Sequence, residues 1–184
     1  GELAMSGCGA YAKVEGFAFL PITSFTSAIT TFVGQNLGAE EFDRAKKGAR
    51  FGILCSLLIA EGIGVITYVF SPAFIGAFCD SQAAIAFGVD KAHICALFFC
   101  LLAATHCLSA VLRGAGRAMV PMVVMLSVWC VLRVSILWIA VPITQSINTV
   151  NWVYPITWSI STVVLLIYYH KSDWLHSFQR EKAK

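Results

Sequence analysis

The sequence predicts an all-α, polytopic helical membrane protein with five transmembrane helices. Mean hydropathy is +0.77 and only 12% of residues are charged, against roughly 25% in an ordinary soluble domain. Five apolar stretches, at about 10–33, 51–70, 93–112, 119–141 and 152–169, approach or exceed the roughly 20 residues needed to cross about 30 Å of hydrocarbon. Basic residues occupy only every second gap between them. Arg44, Lys46, Lys47 and Arg50 follow the first stretch, Arg113 and Arg117 follow the third, and Lys171, Arg180, Lys182 and Lys184 follow the fifth. The gaps at 71–88 and 142–151 contain no Lys or Arg. This alternation is the positive-inside pattern, and it predicts a cytoplasmic C-terminus with the first residue on the external side.

The first stretch contains Pro21 among many hydroxyls, including Thr23, Ser24, Thr26 and Ser27. Proline frees a backbone carbonyl that hydroxyls, water or other helices must satisfy. Such a helix either lines a cavity or buries its hydroxyls in an ordinary bundle. The second stretch carries Glu61 at its midpoint and is expected to stop or bend at Ser71-Pro72. The piece that follows, 72–87, reads as an external interfacial segment. The third stretch starts near Lys91 or His93 and contains His106. The fourth starts near Pro121 and contains Arg133. The fifth carries Trp152, Tyr154, Tyr168 and Tyr169 near its ends, as in an interfacial aromatic belt. Residues 171–184 read as a basic cytoplasmic tail beginning as a frayed helix.

The net charge of +3 sits beside the apolar stretches, so it points to lipid headgroups and not to nucleic acid. The seven cysteines include no C-x-x-C pair. His93, Cys100 and Cys107 would share a helix face, more consistent with small-residue packing than with a metal site. No metalloprotease motif, nucleophile elbow or phosphate loop is present, so an enzyme is not expected.

Three motifs identify a family. The first is Phe32-Val33-Gly34-Gln35-Asn36-Leu37-Gly38-Ala39, with Gly16-Phe17-Ala18-Phe19-Leu20-Pro21 before it and Arg44-Ala45-Lys46-Lys47 after it. The second is Val111-Leu112-Arg113-Gly114-Ala115-Gly116-Arg117 followed by Pro121, and the third is Trp129 through Arg133. In order and spacing they resemble the second half of a multidrug and toxic compound extrusion (MATE) transporter, over essentially the whole chain. The resemblance implies twelve helices in two lobes, with this chain supplying helices eight to twelve and residues 1–170 forming a partial C-terminal lobe. It implies a missing N-terminal lobe as partner, a plasma (inner) membrane location, and a segment removed upstream of Gly1. It also implies export of small organic, often cationic compounds in antiport with sodium ions or protons, without a cofactor. A lipid-linked precursor flippase of the same superfamily and a non-transporting five-helix scaffold or remnant are the alternatives.

On that template the substrate and cation pathway is expected to draw on Glu15, Phe17, Thr23, Phe25, Thr26, Glu61 and His106. Pro21, Gly34, Gln35, Asn36, Gly38, Arg113, Gly114 and Arg133 are expected to be structural. Some family members place an acid in the third span, but none lies between Asp90 and Arg113 here. A charge in the bilayer centre costs roughly 2.5–3.5 kcal/mol on insertion scales. Glu61 is therefore read as a proton carrier, an acid paired with a cation, or a hydrogen-bonded structural group. Glu15 faces either the cleft or the interface. His106, of a residue type with an ordinary pKa of about 6.5, is either a proton carrier or a hydrogen-bonded core residue. Arg133 requires a carboxylate or several carbonyls, with Glu61 or Glu15 available if packing brings them near.

Overall fold

A computed structural model describes residues 1–176, so Arg180, Lys182 and Lys184 lie outside the described part. The chain folds as five membrane-length rods. α1 runs over Glu2–Gly38 and α2 over Phe42–Gly76. The third rod comprises α3 (Gln82–Cys95), a 3₁₀ turn (Ala96–Phe98) and α4 (Phe99–Gly114). The fourth comprises α5 (Met119–Met125), a π-helical segment (Leu126–Leu132) and α6 (Arg133–Thr144), and the fifth is α7 (Ile147–Lys171).

The rods extend past the apolar stretches, and two expectations are corrected. α2 does not stop at Ser71-Pro72. Pro72 cannot bond back to the Tyr68 carbonyl, and the Ser71 hydroxyl donates to that carbonyl at 3.1 Å instead. The third rod begins at Gln82, so most of the expected interfacial segment belongs to the two helices on either side of a short turn. Beyond Lys171 the backbone leaves the helix, and Trp174 is buried against the inner core with its ring stacked on Tyr169. The start of the tail is a packed turn and not a frayed helix.

Two apolar clusters stack along the rods. One gathers Tyr11, Val14, Ile75, Ala92, Phe99 and Trp158; the other gathers Val33, Leu37, Ala45, Leu112, Ala115, Leu165 and Trp174. The second cluster lies at the end bearing the basic turns. Both helix ends there close by the same motif. The Glu41 N–H donates to the Asn36 carbonyl and the Arg117 N–H to the Leu112 carbonyl, each at 2.8 Å. The residue inside each turn is left-handed: Gly116 at φ 77° and Glu40 at φ 61°. Gln35 and Asn36 thus pin their loop through backbone carbonyls, while the Asn36 side chain donates back to the Phe32 carbonyl at 2.7 Å. Gly38 is merely the last helical residue.

Close helix crossings depend on small residues, since lipid supplies no hydrophobic force to bring helices together. A Cβ on Gly114 would stand 2.6 Å from the Thr30 carbonyl oxygen, and one on Gly34 would stand 3.3 Å from the Gly114 oxygen. At this crossing the Thr30 hydroxyl also donates to the Ala110 carbonyl at 3.2 Å. α4 and α7 are joined by hydroxyls. Fully buried Thr105 meets Ser161 Oγ at 3.1 Å and Thr162 Oγ1 at 2.8 Å. The fourth rod is the least buried of the five.

Candidate functional site

A cleft of about 470 Å³ opens where α1, α4, the π segment and α7 face one another, within the roughly 300–1,000 Å³ range of ligand pockets. Its polar groups are Glu15, His106 and Arg133, and its aromatic walls are Phe19, Trp129, Tyr154 and Trp158. The π segment widens the fourth rod beside the cleft and carries Trp129, whose Nε1–H donates to Ser161 Oγ at 3.2 Å. His106 packs edge-on to Phe19 and Trp129, with ring centroids 4.8 and 5.4 Å away. Its Nε2 is buried without a hydrogen-bond partner among the described residues.

The Arg133 guanidinium is held by neither Glu61 nor Glu15. It donates to Thr157 Oγ1 from Nε at 3.2 Å and from Nη2 at 2.6 Å. It also lies 4.6 Å from the Tyr154 ring centroid and 5.3 Å from that of Trp129, a cation–π arrangement. A second cation lies on Tyr154: the Lys91 ammonium is 4.3 Å from the ring centroid and 5.4 Å from that of Tyr11. Lys91 is only 6% exposed. Glu15 lines the same cleft as Arg133. No ion pair within 4.0 Å links the three groups among the described residues. Beneath them, Pro155 frees the Asn151 carbonyl, which accepts from Cys95 Sγ at 3.7 Å.

The MatE family model matches residues 1–139. The chain belongs to the MatE family. Among curated relatives it is similar to the probable multidrug resistance protein YoeA of Bacillus subtilis (strain 168), 26% identical over 92% of this chain and 37% of that protein. It is also similar to the probable multidrug resistance protein NorM of Thermotoga maritima, 30% identical over 69% of this chain and 29% of that protein. The chain thus spans about a third of the length of these relatives. Among solved structures, the MATE transporter ClbM in complex with Rb+ superposes with a TM-score of 0.87 over 97% of this chain and 42% of that one, at 18% identity. The five-rod fold is that of part of a MATE transporter, and the chain is an integral membrane protein.

In this partial MatE-family lobe the residues singled out from sequence are spread over several places. Glu15 and His106 meet Arg133 in the cleft. Phe17 lines a separate apolar cavity of about 370 Å³ between α1 and α2. Thr26 lines a hydroxyl-rich recess with Ser27, Thr30, Thr31 and Arg113, while Phe25 packs on the inner core. Thr23 Oγ1 bonds back to the Leu20 carbonyl at 2.8 Å. Glu61 stands apart at the 3₁₀ turn, where its Oε2 accepts the Cys100 N–H at 3.1 Å. Arg117, half-buried, donates to the Tyr168 hydroxyl at 3.1 Å and to the Asp173 carbonyl at 3.0 Å.

Lys91, Tyr154 and Thr157 were missed as site residues. Lys91 precedes the apolar window, but a signal existed. Ala84, Gly88, Lys91, Ala92 and Cys95 recur at helical spacing and form the buried stripe of α3. Tyr154 reads equally well as a belt residue, and Thr157 as one hydroxyl among many.

Proposed function

We propose that this chain forms one lobe of a secondary active efflux transporter, a transport protein and not an enzyme. It exports organic compounds in antiport with sodium ions or protons by alternating access. The supporting observation is the cleft. An aromatic-walled recess carrying Glu15, His106 and Arg133 sits on a fold shared with part of a MATE transporter. A second lobe, absent from this chain, closes the cavity, and rocking of the lobes exposes it to alternate faces. The basic turns at one end of the rods support a cytoplasmic C-terminus.

The test is export of a dye panel from everted membrane vesicles containing the whole transporter, under an imposed sodium or proton gradient. Gradient-dependent movement of any member supports the reading, and the gradient that drives it names the ion. No movement under either gradient, with the protein inserted, overturns it. A flippase of lipid-linked precursors is the second reading, favoured by the two cations on Tyr154, Lys91 and Arg133.

A further inference from the structure

We infer that this wall of the cleft recognises an organic anion, an apolar or aromatic body carrying a carboxylate or phosphate. The inference rests on the transport reading above and deepens it. One carboxylate, Glu15, lines the cleft with Arg133, and a second cation, Lys91, shares the Tyr154 ring with Arg133. Lys91 is buried on the rings of Tyr11 and Tyr154, so this wall holds two cations and one carboxylate. Arg133 is the cation that lines the cleft, with no carboxylate within 4.0 Å of it among the described residues. Its Nε and Nη2 are committed to Thr157, while Nη1 has no acceptor among the described residues. A planar guanidinium with open N–H groups suits a carboxylate or phosphate oxygen. The rings of Trp129 and Tyr154 flank it at 5.3 and 4.6 Å, and Phe19 and Trp158 offer surface to the apolar body.

This inference departs from the expectation that Glu15 draws in cations. A cationic solute would meet Arg133 and Lys91 repelling it and only Glu15 attracting it, and like charges in a low-dielectric cleft are costly.

The experiment is calorimetric binding to the whole transporter purified in detergent. The probes share one ring system: 2-naphthoate, neutral 2-naphthamide and (2-naphthylmethyl)trimethylammonium. Farnesyl phosphate is added to separate a lipid-linked source from a free acid. We expect naphthoate to bind about tenfold or more tightly than naphthamide, the size of a charge-assisted hydrogen bond. Arg133→Gln is expected to erase that ratio and Arg133→Lys to keep part of it. Lys91→Gln is expected to raise affinity for the ammonium probe by removing one of the two cations that repel it. Tighter binding of farnesyl phosphate than of naphthoate assigns the anion to a lipid, and the reverse assigns it to a soluble acid. Equal binding of naphthoate and naphthamide, tighter binding of the ammonium probe, or no binding of either anion overturns the inference. The transport reading survives those outcomes if vesicles still export a dye. It falls alone if anions bind and nothing is exported.

Discussion

Arg133 is anchored by a single hydroxyl, that of Thr157, which accepts from Nε at 3.2 Å and from Nη2 at 2.6 Å. Thr157 is fully buried, and its own proton goes to the carbonyls of Val153 and Tyr154 one turn earlier in α7. The orientation of the cleft cation is thus set by the backbone of the fifth rod. Thr157→Val removes the acceptor while keeping the shape. The expected loss is roughly 1.5–3 kcal/mol of charge-assisted bonding, seen as weakened substrate binding, with Thr157→Ser restoring it.

Glu61 holds the third rod together where its helix breaks. Oε2 accepts the Cys100 N–H just beyond the 3₁₀ turn, and an unpaired buried donor costs about 1–3 kcal/mol. Glu61→Ala should lower thermal stability in detergent accordingly. Glu61→Gln retains a carbonyl acceptor and should leave both stability and any gradient-driven export close to wild type. Loss of export in Glu61→Gln with unchanged stability would return Glu61 to the proton pathway.

Helix packing at the basic end is sensitive to single methyl groups. Gly114→Ala drives a Cβ to 2.6 Å from the Thr30 carbonyl oxygen and 3.0 Å from Val33 Cβ, an overpacking of about 1–3 kcal/mol. Gly38→Ala meets nothing within 4 Å and should be neutral. Thermal unfolding of the two variants side by side checks the contrast.

Glu40 occupies a left-handed position at φ 61°, which costs a residue with a Cβ roughly 1–2 kcal/mol. Glu40→Gly should relieve part of that cost and raise the melting temperature, opposite to the usual sign for glycine. A lower melting temperature would show that the loop closes in another way.

The membrane fold was legible because its signals are long and redundant. Each rod carries an apolar run, and the basic turns alternate whichever residue ends a helix. Pro72 misled because its effect depends on a neighbour. Ser71 supplies the hydrogen bond that lets α2 continue, and that rescue is visible only with the backbone in place. The cleft was half legible. Glu15, His106 and Arg133 stand out as ionisable groups within apolar stretches. What sequence left open was which of them meet. Glu61 and Glu15 read as equally available to Arg133, but Glu61 accepts from Cys100 in the third rod and Arg133 bonds to Thr157. Lys91 was placed at a helix start because the apolar window opens after it, although α3 begins nine residues earlier.

The central claim is that the cleft between Glu15 and Arg133 is the transport path, and site-directed labelling tests it most directly. Gly16 lines the cleft, and a Cβ added there meets nothing within 4 Å. In the whole transporter with its native cysteines replaced, Gly16→Cys should react with an impermeant maleimide from one face of the membrane. An imposed ion gradient should change that rate, and a transported solute should slow it. A rate indifferent to gradient and solute, in protein that still exports, would place the path elsewhere and contradict the account.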